Sequence, residues 1–79
     1  MSSRKIVVFT QPDSLPCEAV KMFLKSRRAK FEERCVTYDD DARDELARKY
    51  NSRSTPTVVI DNEVVVGFDP ERLDQLLEP

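Results

Sequence analysis

The stretch Lys5-Ile6-Val7-Val8-Phe9-Thr10 limits this chain more than any other. Its four apolar residues, β-branched or aromatic, follow one another without polar interruption, and Gln11-Pro12-Asp13 closes the run. A short continuous run of this kind predicts a strand buried on both faces. A helix is expected directly after it. Pro16 suits the first turn, where its missing N–H costs nothing. Val20, Phe23 and Leu24 then recur at i, i+3 and i+4 as one apolar stripe. The basic stretch from Lys25 to Lys30 suits the C-terminal end of that helix, where positive charge is favoured.

The remaining elements follow from similar signals. Phe31 to Thr37 is a second strand candidate, more polar and therefore nearer an edge. Asp39-Asp40-Asp41 suits the first turn of a second helix, with Ala42, Leu46 and Tyr50 on one face and Asn51 as its stop. Thr57 to Ile60 and Val64 to Val66 form two strands around Asp61-Asn62-Glu63, a tight hairpin in which Asp and Asn accept left-handed positions. Asp69-Pro70 opens a third helix as N-cap and first-turn proline, with Leu73, Leu76 and Leu77 as its apolar stripe. The order is βαβαββα, an α/β chain. Its first βαβ unit is expected to be parallel and right-handed, and its last two strands antiparallel.

Bulk properties exclude several classes of function. The 79 residues are read as one domain, 1–79. The net charge of -2, with both signs interspersed, supplies no basic patch for nucleic acid. No apolar run reaches membrane-spanning length, and Met-Ser-Ser-Arg-Lys lacks the apolar stretch of a signal peptide, so the cytoplasm is the expected compartment. The chain has no histidine and two cysteines, Cys17 and Cys35, which argues against His-based catalysis and the usual zinc sites; no metal is expected. The single glycine, Gly67, excludes a Walker loop and a dinucleotide fingerprint.

Cys17 is where chemistry is expected. A cysteine at the start of a helix that follows a buried strand meets unpaired N–H groups and the positive end of the helix dipole, which stabilise a thiolate. A lone cysteine is more often simple packing, and its place behind Pro16 shifts that balance. Cys35, on the second strand, is read as a partly buried spectator.

Val8 to Cys17, read as Val-Phe-Thr-Gln-Pro-Asp-Ser-Leu-Pro-Cys, resembles the strand–loop–helix of glutaredoxins and of the small redoxins that supply electrons to ribonucleotide reductase. Three further stretches match in order. Arg53-Ser54-Thr55-Pro56-Thr57 resembles the family's cis-proline loop, Val58 to Val66 its hairpin, and Gly67-Phe68-Asp69-Pro70 the segment that closes the glutathione or partner site. The resemblance covers essentially the whole chain. It implies a thioredoxin-like fold: a four-stranded mixed sheet with three helices distributed over both faces.

The resemblance also implies roles. Cys17 stands in the place of the resolving cysteine, a more buried and less acidic sulfur. Ser14 stands in the place of the attacking one, and a serine hydroxyl does not open a disulfide as a thiolate does. Three readings of Ser14 remain open. It replaces a cysteine in an altered chain, it is natural in a redoxin whose activity is lost or changed, or it is an N-cap; the last is compatible with either of the others. Leu15 and Pro16 lie between the two site positions, with Pro16 giving the x-Pro-Cys order of thioredoxins. Gln11 stands where many glutaredoxins carry lysine. Gln11, Leu15, Pro16, Arg53, Thr55, Pro56, Gly67, Phe68 and Asp69 are the implied substrate or glutathione contacts. A cis bond before Pro56 would turn the Thr55 backbone outward, toward an extended peptide. Asp69 is also a helix cap, and a helix N-terminus attracts a carboxylate.

The implied function is thiol–disulfide oxidoreduction by a monomeric electron carrier, with dithiol activity lost or altered by Ser14. No cofactor is expected to be bound, and glutathione enters as a co-substrate. The expected partners are a protein disulfide, glutathione, or a flavoprotein thioredoxin reductase. The alternative is a non-catalytic module that binds glutathione or an extended partner segment.

Overall fold

The computed structural model describes residues 4–78, so the polar start at Met1-Ser2-Ser3 lies outside the described residues. The elements run β1 (Ile6–Thr10), α1 (Leu15–Ser26), β2 (Glu32–Cys35), α2 (Asp40–Arg48), β3 (Thr57–Ile60), β4 (Glu63–Val66) and α3 (Pro70–Leu77). The sheet order is β2-β1-β3-β4. β1 pairs parallel with β2 and antiparallel with β3, and β3 pairs antiparallel with β4. This is the four-stranded mixed sheet with three helices that the sequence implied.

All five residues of β1 are buried because the strand is central and both its faces are covered. Successive side chains point to opposite sides. Ile6 and Val8 join Val58, Ile60 and Val65 beneath Val20 and Leu24 of α1 and Leu73 of α3. Val7, Phe9 and Val59 face the other way and pack under Ala42 and Leu46 of α2. Burying a side chain of this size contributes roughly 1.5–3 kcal/mol, so two small clusters on opposite faces hold a short chain together.

Several boundaries differ from expectation. β2 ends at Cys35, not Thr37. The amides of Tyr38 and Asp39 turn back to the Cys35 carbonyl, at 3.3 and 3.0 Å, and deliver Asp39 as N-cap of α2. Phe31 precedes the strand and packs against the core cluster beneath α1 and α3. α2 stops at Arg48, so Tyr50 lies beyond it, although its ring still meets Phe9 at 5.7 Å. Asn51 takes the left-handed conformation just past that end. The hairpin connection is two residues, not three. Glu63 pairs with Ile60 as part of β4, and its carboxylate reaches Arg72 of α3 at 3.1 Å. Of Asp61 and Asn62, only Asp61 is left-handed. Its carboxylate also accepts the Lys5 N–H at 3.1 Å, anchoring the turn to the start of β1.

The basic stretch closes α1 as expected. Ala29 N–H reaches the Leu24 carbonyl and Arg28 N–H the Lys25 carbonyl, both at 3.0 Å, with Arg28 at φ 57. This is the Schellman closure, with arginine where glycine is usual. At the chain's two ends, the Arg4 guanidinium donates to the carbonyls of Leu76 and Glu78 and ties the segment before β1 to the end of α3. No helix among the described residues is long and apolar enough to cross a membrane.

Candidate functional site

Strand register gathers the candidate residues at one end of the sheet. Phe9, near the end of β1, pairs with Thr57 at the start of β3, and Thr57 pairs with Val66 at the end of β4. The loop 11–14, the Thr55–Pro56 pair and the segment 67–69 therefore all leave the sheet from the same end. Cys35 belongs to that end as well, opposite Thr10 in the register.

Ser14 is the N-cap of α1, and the left-handed Asp13 before it turns the chain into the helix. Ser14 Oγ accepts the Cys17 N–H at 3.3 Å, and its carbonyl takes the first helical bond, from Glu18 N–H at 3.1 Å. The hydroxyl thus occupies a position facing the helix N-terminus, where an attacking sulfur would find a hydrogen-bond donor. Leu15 and Pro16 form the first turn. Leu15 is 85% exposed and Cys17 is 0% exposed, so the motif presents an apolar rim above an enclosed thiol. Cys17 and Cys35 are both free thiols.

The Thr55–Pro56 peptide bond is cis. Pro56 is buried, and its carbonyl accepts the Gly67 N–H at 2.7 Å, joining this loop to the end of β4. Gly67 has φ +80, a conformation that L side chains rarely adopt. Phe68 lies half in solvent, its ring edge-on to Phe23 of α1 at 5.8 Å, and the Arg27 guanidinium lies 4.3 Å over the Phe23 ring. Asp69 caps α3 by accepting the Arg72 N–H at 3.1 Å. Gln11 is exposed on the loop after β1. Arg53 is placed apart from these residues. It lines an open depression along α2 with Asp40, Asp41, Arg43, Asp44, Ala47 and Arg48, and no other candidate site residue lines it.

Two features of this end escaped the sequence reading. Thr10, buried at the end of β1, donates its hydroxyl to Glu33 at 2.9 Å. Lys21, one helical turn beyond Cys17, bridges Glu33 at 3.1 Å and Glu18 at 2.9 Å. Burial pushes the Glu33 carboxyl up, but hydrogen bonds from Lys21 and Thr10, with the charges of Lys21 and Lys25, outweigh it and hold it below its ordinary value. The second is a hydroxyl cluster of Ser52 and Thr57 behind the cis-proline loop. The signal in both cases is a threonine at the end of an otherwise apolar buried strand.

The glutaredoxin family model matches residues 6–65. This chain belongs to the glutaredoxin family. The thioredoxin-like protein BC3987 has a similar structure, with a TM-score of 0.90 at 56% identity, covering 92% of this chain and all of that one. The glutaredoxin-like protein NrdH-redoxin from Escherichia coli has a TM-score of 0.83 at 28% identity over 95% of this chain and 96% of its own. The Gene 56 protein of Mycobacterium phage L5 is 34% identical over 92% of this chain and 72% of its own length. Family membership sets the kind of chemistry as thiol–disulfide oxidoreduction. The sheet end described above brings together Ser14 and Cys17 at the start of α1, the cis Thr55–Pro56 pair and the segment 67–69.

Proposed function

We propose that this glutaredoxin is a single-domain, cytoplasmic, monomeric electron-carrier redoxin whose two-thiol cycle is interrupted at its first step by Ser14. One observation carries the reading: Ser14 Oγ accepts the Cys17 N–H at the start of α1, beside a fully buried Cys17. In the complete cycle the first thiolate attacks a disulfide and releases one thiolate. The second sulfur then displaces the other, leaving an intramolecular disulfide. Here the first step has no sulfur. Cys17 retains only the capacity for mixed disulfides: its thiolate attacks one sulfur of a disulfide and expels the other as a thiolate, which takes up the proton Cys17 lost. Enclosure makes that step slow.

Glutathione or a protein disulfide is the co-reactant, and no cofactor is bound. Leu15 and Phe68 form the exposed apolar rim, Thr55 offers backbone pairing, and the Gly67 to Asp69 segment leads to the N-terminus of α3, which suits a carboxylate. The E. coli NrdH-redoxin is described by its thioredoxin-like activity profile. That favours a flavoprotein thioredoxin reductase as the first electron source to test.

The test compares this chain with Ser14→Cys in disulfide reduction, driven in parallel by glutathione and by thioredoxin reductase. Turnover is expected only in the variant. The intact rim and the Gly67–Pro56 bond also fit a second reading, a non-catalytic module for glutathione or an extended segment. Ser14→Cys inert under both reductants, with glutathione or a peptide still bound, selects the second reading over the first.

A further inference from the structure

We propose that Ser52 and Thr57 are positioning residues, whose buried hydroxyls hold Ser54 inward so that the neighbouring Thr55 offers its backbone to an extended thiol-bearing partner. The proposal rests on the redoxin reading above and adds the device that fixes where the partner pairs.

Proton accounting makes the cluster directional. A hydroxyl has one proton to donate. Thr57 Oγ1 spends its proton on the Ser54 carbonyl, at 2.7 Å. In the 2.9 Å contact between Ser52 Oγ and Thr57 Oγ1, Ser52 is therefore the donor. Ser52 Oγ in turn accepts the Ser54 N–H at 3.3 Å. The three bonds close a ring through Ser52, Thr57 and Ser54, in which each hydroxyl donates once and accepts once. Ser52 is 6% exposed and Thr57 0%, so the two hydroxyls are shielded from water while they hold the exposed Ser54.

The ring leaves a particular residue free. Both backbone polar groups of Ser54 are turned inward, its N–H to Ser52 and its carbonyl to Thr57. Pro56 has no N–H, and its carbonyl holds Gly67 N–H at 2.7 Å. Among the described residues no hydrogen bond takes the N–H or carbonyl of Thr55, which is half-buried between them. A partner strand arriving beside Pro56 finds the donor and the acceptor of Thr55 together, with Ser54 and Pro56 on either side turned to bonds within the chain, and pairing at Thr55 sets its register. The ring touches neither sulfur, so it acts on docking and not on exchange.

The experiment uses Ser52→Ala and Thr57→Val, with Thr57→Ser as the conservative variant that keeps the hydroxyl. Each is read two ways. In the chain as it stands, amide hydrogen exchange is followed at Ser54 against Val8 in the core. Ser52→Ala and Thr57→Val are expected to accelerate Ser54 selectively, and Thr57→Ser to leave it protected. In the Ser14→Cys background, a disulfide-linked peptide is compared with a small disulfide that has no peptide backbone. KM for the peptide is expected to rise about fivefold or more with kcat little changed, and both parameters for the small disulfide to hold. Equal losses on both substrates, or an unchanged peptide KM, overturn the proposal. If Thr57→Val does not fold, Ser52→Ala decides. If Ser14→Cys reduces neither disulfide, the redoxin reading fails by itself, and an unaltered Ser54 exchange rate in Ser52→Ala rejects the ring separately.

Discussion

Ser14→Cys should create a thiol that ionises well below the usual cysteine value of about 8.5. Two supports are already in place. The Cys17 N–H points at the Ser14 side chain from 3.3 Å, and Ser14 caps the 12-residue helix α1. A hydrogen bond to a charged acceptor contributes about 1.5–3 kcal/mol and a helix terminus about 0.3–1 kcal/mol, part of which the neutral thiol already enjoys. A net preference of about 1.5–3 kcal/mol for the thiolate corresponds to a pKa of about 6.3–7.4. Glu18 in the same first turn opposes ionisation, but Lys21 pairs with it at 2.9 Å.

The pH dependence of alkylation by iodoacetamide, resolved by mass spectrometry, reads this value directly. Modification should fall on the introduced thiol first as pH falls below about 8.5, because Cys17 is fully buried and the partly buried Cys35 lies on β2, away from the α1 N-terminus that lowers the introduced thiol's pKa. Stability supplies an independent check. A thiol whose folded pKa lies below its unfolded value stabilises the fold above the unfolded pKa, and the contribution is lost as pH falls through the folded pKa. The urea midpoint of the reduced variant should therefore rise, relative to this chain, between about pH 6 and pH 9. A titration at or above about 8.5, or a flat stability difference across that window, refutes the placement of Ser14 in a thiolate-supporting site.

Two further outcomes concern the frame. Arg28→Gly should raise stability by about 1 kcal/mol in urea unfolding, since Arg28 holds a left-handed φ of 57 at a position where glycine carries no such cost; an unchanged midpoint would show that the Schellman closure is not strained. Glu33→Gln should lower stability by less than about 1 kcal/mol at neutral pH, because its partners Lys21 and Thr10 favour the charged form at a half-exposed site. With the folded pKa held low, the difference should persist above the ordinary carboxyl range and vanish as pH falls through the folded value; a gap that widens in acid would overturn the assignment.

Much of the fold was legible because local signals agreed. The unbroken run Ile6–Phe9 gave a strand covered on both sides, and the stripes of α1 and α3 met one face of the sheet. The caps at Ser14, Asp39 and Asp69 each accept the backbone N–H three residues on, as their residue types indicate. What was less legible depended on tertiary partners. Glu63 looks like a turn residue until Arg72 of α3 is placed beside it. Tyr50 continues the helical spacing of Ala42 and Leu46, but packing on Phe9 holds it just as well outside the helix. Of the site, the residue types were readable along the chain, and the inward bonding of Ser54 was not. That bonding depends on hydroxyls at positions 52 and 57 meeting across a loop whose path no periodicity describes.

The devices that shape the site involve no sulfur. Ser14 caps α1 with an oxygen, the ring of Ser52, Thr57 and Ser54 is made of two hydroxyls and the N–H and carbonyl of Ser54, and the link from Gly67 to Pro56 is backbone alone. Serine is among the best N-caps, and replacing a good cap typically costs about 1 kcal/mol. The fold therefore gains from the serine that, on the function proposed above, interrupts the two-thiol cycle. Thr57 runs the other way: β3 otherwise offers Val58, Val59 and Ile60, and a buried hydroxyl among them is favourable only when every bond it can make is satisfied. The proposed positioning role accounts for a core position beside the cis-proline loop that accepts this condition. On the function proposed above, recognition and exchange are separable, and Ser14→Cys should supply the second without rebuilding the first.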